Sequence, residues 1–375
     1  MVIKHKIHAR SVLRVQPHTD SWFISRYSMN LYSGCEHACA YCDGRAERYH
    51  VQGDFERDIR IKVNAVELLR QELNRQREPG FLFLGGGVTD AYQPIEEEHQ
   101  LARGALELAL DLGWPVHVLT KSALVERDLD LLQAINNETR AILSFSIQSV
   151  DERVITHFEP GASPASERLR VLNKAKELGI GAGVMAMPVL PGISDSQGQL
   201  NELAKQATGL DYLLFGGLSL RPGAQTDSYM SKVNPDLIPT YRGLLAERGA
   251  PLQFYYKKLG PRFKEASSRA KIPERIPREL YTGQIPIYVE AAVYLEQRSR
   301  EFGQQDLRQS GRAIQLWARA RMKSRGVRYE DVEDDFMVML RAGQLKGMKV
   351  GAKALAVLRS LDLRPKARPQ QALFG

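Results

Sequence analysis

The sequence is poor in cysteine and has no long apolar segment, and both absences narrow the class of protein. Only three of its 375 residues are cysteine. An odd number of thiols in one short stretch argues against a disulfide framework and favours a reducing compartment, so we expect a cytoplasmic location. No apolar run reaches the length of about 18 residues that a membrane span needs. Residues 1–22 lack the continuous apolar stretch of a secretory signal.

Positive charge is concentrated in the last third of the chain. Residues 1–250 contain 27 Lys and Arg against 31 Asp and Glu, whereas residues 251–375 contain 25 against 13. This asymmetry suggests an anionic partner, and nucleic acid is the first hypothesis. A well-solvated helical region is the alternative interpretation of the same charge.

Apolar runs typical of short strands alternate with segments of helical periodicity between residues 28 and 246. The six runs lie at 29–33, 81–87, 116–120, 141–147, 181–190 and 212–220. Six βα units in series imply parallel strands joined by right-handed crossovers. They are two short of a full eight-stranded barrel. Because the unusual residues follow the strand ends, the sequence predicts an α/β fold built on a partial (βα)6 barrel.

Composition divides the chain into four predicted parts. A Pro-rich, basic and weakly periodic stretch at 247–280 marks the main boundary, and four helix-like segments follow it. The parts are an N-terminal extension (1–27), the partial barrel (28–250), a basic and mainly helical C-terminal domain (251–363) and a tail expected to be disordered (364–375).

All the thiols lie in the segment CEHACAYC, residues 35–42, just after the first apolar run. The C-x3-C-x2-C spacing lets Cys35, Cys39 and Cys42 face one small space, which suits a metal ion or a cluster. A tetrahedral zinc site needs a fourth ligand, which His37 or His50 would supply. A four-iron cluster held by three cysteines instead leaves one iron open for a small chelating molecule. The spacing alone leaves both alternatives open.

This spacing, with Tyr41 before the last cysteine, resembles the signature of radical S-adenosylmethionine (SAM) enzymes. The resemblance implies that Cys35, Cys39 and Cys42 hold a [4Fe-4S] cluster whose open iron binds SAM. It further implies reductive cleavage of SAM to a 5′-deoxyadenosyl radical, which abstracts hydrogen from a substrate. An electron donor such as flavodoxin or ferredoxin is then required. The usual fold of the family is a six-unit partial barrel, in agreement with the strand pattern.

The resemblance also assigns candidate SAM contacts. The segment GGGVTDAYQP follows the second apolar run, and glycines there let a ligand approach the backbone closely. Its candidates are Gly85, Gly86, Gly87, Thr89 and Asp90. Lys121, after the third run, would bind the SAM carboxylate, and Tyr41 would lie near the adenine. Ser144 and Ser146 share one face of the fourth run and would contact SAM if that face points inward. Glu159 is a second-tier candidate.

Several segments between about residues 30 and 223 resemble the spore photoproduct lyase branch of this family. The enzymes of that branch are DNA-repair lyases and their relatives. They are GVTDAYQP, TKS, SFSIQS, HFEPGASPASERL and MPVLPG. The resemblance implies DNA lesion repair or base modification. Two departures matter: these lyases carry a hydrogen-donating cysteine near the position of Gly87, and a tyrosine where Asp43 follows Cys42 here. Tyr92 is therefore our candidate for a substitute hydrogen donor.

Aromatic and basic residues are interleaved in the segment QFYYKKLGPRFKEASSRAK, residues 253–271. Tyr255, Tyr256 and Phe263 would stack on unpaired bases while neighbouring lysines track phosphates. A second basic segment, 311–328, is alternatively an amphipathic helix that packs on the core. Two rival functions stay open: a radical SAM enzyme that modifies a small metabolite or a peptide, and a non-enzymatic metal-bearing protein that binds nucleic acid.

Overall fold

The computed structural model describes residues 2–85 and 87–363, so Gly86 and the predicted tail at 364–375 lie outside the described residues. The strands are β1 (Ile3–Ile7), β2 (Leu13–Asp20), β3 (Ser25–Met29), β4 (Tyr32–Ser33), β5 (Asp58–Lys62), β6 (Phe81–Leu84), β7 (Val116–Thr120), β8 (Ala141–Ser146), β9 (Gly181–Val189) and β10 (Tyr212–Gly217). The α-helices are α1 (Ala65–Leu73), α2 (Glu96–His99), α3 (Leu101–Asp111), α4 (Leu129–Glu138), α5 (Glu152–Phe158), α6 (Ala165–Glu177), α7 (Gln197–Gln206), α8 (Ala224–Met230), α9 (Ile238–Ala270), α10 (Ile287–Phe302), α11 (Gln305–Met322), α12 (Tyr329–Ala342) and α13 (Ala352–Arg359).

The larger sheet has seven strands in the order β10-β9-β8-β7-β6-β3-β2. Neighbours from β3 to β10 are parallel, and β2 adds an antiparallel edge beside β3. Because each parallel strand returns through a helical connection, its carboxyl end lies at the same edge as those of its neighbours. This arrangement confirms the predicted partial (βα)6 barrel.

The first barrel strand lies earlier than the sequence suggested. The prediction was 29–33, whereas the structure has β3 at Ser25–Met29 and a separate short strand, β4, at Tyr32–Ser33. β4 pairs with β5 in a small sheet of order β1-β5-β4. Both stretches contain buried residues, so apolar content alone does not show which one joins the barrel. The predicted boundary at residue 28 falls within β3, and the division into domains stays a prediction.

The two faces of the barrel strands pack against different helices. Along β8, Leu143 and Phe145 belong to the core under the helices that follow the strands, while Ile142 belongs to a second core on the concave side. Alternate side chains of a strand point to opposite faces, which explains this division. On the concave side, Ile142 shares its core with Val293 of α10 and Phe336 of α12. The C-terminal helices are therefore packed directly onto the barrel.

The Pro-rich stretch that the sequence left without regular structure is largely helical. α9 extends from Ile238 to Ala270 and is interrupted at 246–249, where Glu247, Arg248 and Gly249 have positive φ. Pro251 follows directly in the first turn after the interruption, where a missing N–H leaves no helical bond unmade. None of the helices within the described ranges is long and apolar enough to span a membrane.

Candidate active site

The cysteine loop begins where the small sheet ends. Gly34 follows β4 with φ +80, and a Cβ on it would come within 2.8 Å of the Asp58 carbonyl oxygen. Only glycine tolerates both conditions. The Cys35 amide then donates to the Phe55 carbonyl at 2.9 Å, which fixes the first thiol beside this sheet.

Two tight turns bring the thiols to one side of the loop. The amide of Ala38 donates to the Cys35 carbonyl, and the amide of Cys42 donates to the Cys39 carbonyl, each at 3.2 Å. Cys35 and Cys39 are buried, and Cys42 is half-buried. Burial, and then the neighbouring acidic groups and thiols, raise the pKa of Cys35; burial raises the pKa of Cys42 to about 11. The three sulfurs are therefore near neighbours in a poorly hydrated space.

The side chain of Arg45 holds the cysteine loop in place. Its guanidinium donates to the carbonyls of Cys39 at 2.9 Å and Ala38 at 3.1 Å, and pairs with Glu56 at 2.6 Å. The same group lies over the Phe55 ring, 5.0 Å from its centroid. The Cys39 carbonyl therefore accepts from both the Cys42 amide and Arg45, and the side chain of Arg45 holds both turns of the loop.

From the barrel side, the loop is held by the segment after α5. The Ala40 amide donates to the Phe158 carbonyl at 2.9 Å, and the Gly161 amide donates to the His37 carbonyl at 3.1 Å. A Cβ on Gly161 would lie 2.2 Å from the Glu36 carbonyl oxygen. Gly161 lies in the segment HFEPGASPASERL, but no local pattern identifies its role. That role depends on a contact across more than 100 residues of chain.

A cavity of about 360 Å³ lies at the carboxyl ends of the barrel strands. Its polar lining is Cys39, Tyr41, Cys42, Asp43, Asp90, Thr120, Lys121, Ser146 and Ser219, and its apolar lining is Phe23, Phe83, Leu119, Met187, Pro188 and Leu218. Gly85, Gly87 and Gly217 complete the wall. A volume of this size, mainly apolar with a few converging polar groups, is typical of a small-molecule or cofactor site.

Lys121 projects into this cavity from the end of β7. Its ammonium donates to Ser146 Oγ at 2.6 Å, to Glu159 Oε1 at 3.0 Å and to Tyr41 Oη at 3.2 Å. Tyr41 itself donates a short hydrogen bond to Glu159. Three of the residues predicted as SAM contacts are thus brought together, with Glu159 beneath them. Their roles toward SAM stay predictions.

Glu159 is fully buried and lies between two cations. Besides Lys121, it pairs with Arg168 Nη2 at 2.7 Å, and neither Glu159 nor Arg168 has any exposed side chain. Burial by itself would raise the pKa of Glu159, but Lys121 and Arg168 outweigh that effect and lower it to about 2. Glu159 is therefore a carboxylate at neutral pH that holds the side chain of Lys121 at the cavity wall.

Asp90 joins the glycine-rich segment to the end of β7. Its carboxylate accepts from Thr120 Oγ1 at 2.7 Å and from the Lys121 amide at 2.9 Å, and lies 3.4 Å from His37 Nδ1. Burial alone would raise the pKa of Asp90, but His37 and these donors keep it below its usual range. This residue lines the cavity and also ties the cysteine loop to the barrel.

Three predicted site residues are placed away from the cavity. Thr89 donates to the Gly34 carbonyl at 2.8 Å and so braces the start of the cysteine loop. Tyr92 is fully buried in the core beneath the helices and does not line the cavity. Ser144 lies below the cavity floor: it bonds His117 Nε2 at 2.6 Å and also contacts Tyr212. The roles predicted for these three residues stay predictions.

One buried residue that contacts the cysteine loop, Gln225, was not predicted from the sequence. The side-chain amide of Gln225, in α8, donates to the Tyr41 carbonyl at 3.0 Å, to Asp43 Oδ1 at 2.9 Å and to the Ser219 carbonyl at 2.9 Å. It is fully buried and links the third cysteine's flanks to the end of the barrel. No local motif surrounds Gln225, so the sequence carried no signal for it.

The aromatic residues of α9 are engaged within the protein. Tyr256 donates to the Val189 carbonyl at 2.5 Å, and Tyr255 donates to Asp195. Phe263 stacks on Phe215, with centroids 4.7 Å apart. These three rings already pack within the protein, and their stacking on nucleic-acid bases stays a prediction. Phe254 alone of the four aromatic residues of this stretch is largely exposed.

The family comparison agrees with this site. Residues 29–204 match the model of the radical SAM superfamily, a span that contains the cysteine loop, the glycine-rich segment, Lys121 and Ser146. An uncharacterised protein of Mycobacterium tuberculosis is 30% identical over 281 residues, which cover 68% of this chain and 82% of that protein. The chain belongs to the radical SAM superfamily and is a radical SAM enzyme.

Two further kinds of relative were found. A protein of Pseudomonas phage M6 described as a radical SAM Nalpha-GlyT isomerase is 24% identical over 163 residues, covering 43% of this chain and 33% of that protein. A spore photoproduct lyase mutant with dinucleoside spore photoproduct superimposes with a TM-score of 0.52 at 20% identity, covering 71% of this chain and 79% of that one. A second mutant of the same lyase gives 0.51 at 21% identity. These structures share the fold of this chain.

Proposed function

We propose that this enzyme binds a [4Fe-4S] cluster and SAM in the cavity beside the cysteine loop and acts on a nucleic-acid substrate. One observation carries the proposal. Cys39 and Cys42, Lys121 and Ser146 come from three separate segments of the chain, yet all line one cavity at the carboxyl ends of the barrel strands, and Cys35 lies beside the other two thiols.

The residues around the cysteine loop fit a cluster. Cys35, Cys39 and Cys42 would hold it, and the wall opposite Cys42 is Gly87, where a Cβ would meet nothing closer than 3.9 Å. The residues suggested for zinc are placed otherwise: His37 is buried against Asp90 and His50 is exposed. Within the described ranges, no three His, Cys, Asp or Glu side chains are grouped as ligands of a single ion. Cysteines of a cubane differ in that each binds its own iron.

When bound, the cluster supplies one electron that cleaves SAM into methionine and a 5′-deoxyadenosyl radical, which then takes a hydrogen atom from the substrate. The chain's own residues bind and orient. Lys121 offers a positive charge for the SAM carboxylate, and Glu159 and Ser146 hold that ammonium in place. The apolar wall formed by Phe83, Leu119 and their neighbours restricts water near the reacting atoms.

A nucleic-acid substrate is the finer part of the proposal. It is supported by the excess of 25 basic over 13 acidic residues in 251–375 and by the lyase of similar fold, whose structure includes a dinucleoside photoproduct. DNA lesion repair or base modification is the reaction class that we propose. The absence of a thiol at Gly87 distinguishes this cavity from the lyase pattern, so we do not propose the lyase reaction itself.

Anaerobic reconstitution with iron and sulfide tests the enzyme class. We expect a reduced-cluster EPR signal that shifts when SAM is added, together with formation of 5′-deoxyadenosine. A matched Cys39→Ala protein should show neither. A chain that binds iron but leaves both the signal and SAM unchanged would contradict the proposal.

The substrate class needs a separate measurement. Deuterium incorporation into 5′-deoxyadenosine should follow addition of deuterated oligonucleotides that carry modified or damaged bases. Transfer from a deuterated peptide or metabolite instead would support the rival substrate class. The cytoplasmic location and a flavodoxin or ferredoxin as electron donor stay predictions from the sequence.

A further inference from the structure

A second concave surface lies outside the barrel, along the edge strand β10. This surface, which we call the β10 groove, has a volume of about 650 Å³. Its walls come from the end of α9, the segment after it, and α10. Its charged and polar lining is Lys264, Ser267, Ser268, Lys271, Glu274, Arg275 and Arg300.

The β10 groove is lined by four basic side chains and one acidic side chain, Glu274. Among the residues that the structure describes, Lys264, Lys271 and Arg300 have neither an ion pair nor a hydrogen bond to a carboxylate. The Arg300 guanidinium lies over the Trp22 ring, 4.3 Å from its centroid, and Arg275 lies over the same ring at 5.1 Å. Burial, and then Arg275 and Arg308, lower the pKa of Arg300 to about 10. Like charges gathered in this way favour a bound anion.

An unpartnered hydroxyl also faces the β10 groove. Ser267 is 2% exposed, and its Oγ has no hydrogen-bond partner. A buried hydroxyl without a partner is unfavourable unless a ligand or water supplies one. Its position among Lys264, Lys271 and Arg300 suits a phosphate oxygen, which accepts hydrogen bonds from hydroxyl and cationic donors alike.

A comparison with another groove shows that this charge is not general to the surface. A concave surface of about 690 Å³ on α6 is also lined by basic residues, including Arg170 and Lys174. Both of these pair with Glu126, at 2.6 and 3.0 Å. The cations there are paired within the protein, whereas Lys264, Lys271 and Arg300 have no such carboxylate partner among the residues that the structure describes.

The β10 groove lies close to the proposed active site. β10 has a register irregularity between Phe215 and Gly217; Phe215 lines the groove, whereas Gly217 lines the catalytic cavity. A Cβ on Gly217 would lie 2.7 Å from the Tyr256 ring, and Phe263 follows on the same helix at about 10 Å. A chain molecule crossing the edge of β10 would therefore reach both places.

From these observations we infer that the β10 groove binds backbone phosphates of the nucleic-acid strand whose reacting nucleotide enters the cavity. The positive charge continues past the groove to Arg308 on α11, which fits a polyanion better than a single phosphate. This inference rests on the proposed nucleic-acid substrate, and it places the phosphate contacts at the C-terminal end of the basic segment 253–271, together with Arg300 from α10.

The test uses the full-length chain without cluster or SAM, under reducing conditions. Binding of a fluorescein-labelled 20-nucleotide single strand is followed by anisotropy over a range of salt concentrations. The variant K264Q/K271Q removes two exposed groove lysines. The matched control, K257Q/K258Q, removes two exposed lysines from the same helix outside the groove. Both variants change the net charge equally, and circular dichroism checks their folding.

We expect the groove variant to bind on the order of 10-fold more weakly and to lower the slope of log K against log salt by about 1.4, since each single-strand phosphate contact contributes about 0.7. The control should retain the wild-type slope. Equal losses in both variants, or no loss in either, would overturn the inference. Displacement of the strand by inorganic phosphate beyond the effect of chloride at equal ionic strength would also overturn it, because a free phosphate would then be the ligand.

This measurement separates the two proposals. Strand binding through the β10 groove, together with failure of the reconstituted protein to cleave SAM, would refute the proposed reaction and leave the groove assignment intact. Cleavage of SAM without selective loss of binding in the groove variant would support the proposed reaction and refute the groove assignment.

Discussion

Glu159 is the residue whose removal should reveal most about the site. Its carboxylate is fully buried between Lys121 and Arg168 and has a pKa of about 2, against an ordinary value of 4.5. That difference corresponds to roughly 3 kcal/mol of stability at neutral pH. Glu159→Gln removes the negative charge and leaves the buried Arg168 uncompensated, so we expect a loss of about 3 to 5 kcal/mol in the free energy of unfolding.

Glu126 offers a matched control. It also pairs with two cations, Arg170 and Lys174, and its pKa is also about 2. The side chains of these partners are 57% and 51% exposed, so water screens the interaction. Glu126→Gln should therefore cost less than about 1 kcal/mol. The pKa is lowered in the same direction at both glutamates. We nevertheless expect Glu159→Gln to lower the free energy of unfolding much more than Glu126→Gln.

Urea unfolding of the cluster-free proteins, followed by circular dichroism at pH 7, measures both losses. The pH dependence supplies a second check on Glu159. A carboxylate whose pKa is lower in the folded protein stabilises the fold at pH values above its unfolded-state pKa. The wild type should therefore lose this stabilisation as the pH falls from about 4.5 towards 2. Glu159→Gln should lack that component. Similar losses in the two variants, or an unchanged acid profile, would refute the assignment of a buried charged network.

Three further outcomes are expected. Gly161→Ala should lower the iron bound per chain after reconstitution, because its Cβ would lie 2.2 Å from a carbonyl oxygen of the cysteine loop. The control is Gly198→Ala in α7, where a Cβ would meet nothing within 4 Å, and this variant should bind as much iron as the wild type. Tyr92→Phe should form 5′-deoxyadenosine at close to the wild-type rate, since its ring does not line the cavity; a loss above 10-fold would restore it as a candidate hydrogen donor. Cys42→Ser should abolish the SAM-dependent EPR shift, and its persistence would remove Cys42 from the cluster.

The residues that the sequence located best are those with a local signal. The C-x3-C-x2-C spacing, the lysine after the third strand and the serine at the end of the fourth all depend on the position of a residue relative to a strand end. That position can be read from short-range patterns, and the structure places Lys121 and Ser146 at the cavity together with Cys39 and Cys42.

Three predicted site residues lie outside the cavity lining. Thr89, Tyr92 and Ser144 lie within one or two residues of groups that do line the cavity, but their side chains contact other parts of the protein. Thr89 and Tyr92 differ from Asp90 in side-chain direction, whereas Ser144 shares the strand face of Ser146 and lies one layer deeper, and short-range patterns show neither property. The aromatic residues of α9 illustrate the same limit, because their packing on the barrel depends on contacts with distant strands.

The sequence by itself therefore indicated the class of fold and the loop that carries the thiols, which follow from periodicity and spacing, and the enzyme family, which follows from the resemblance of the cysteine motif to a known signature. All three signals are local. Only the tertiary structure decided that Glu159 and Arg168 support Lys121, that Gly161 and Gln225 hold the cysteine loop, and that Lys264, Lys271 and Arg300 gather beside β10. Each of those arrangements joins residues far apart along the chain, and burial, charge pairing and close contact exist only once the chain has folded.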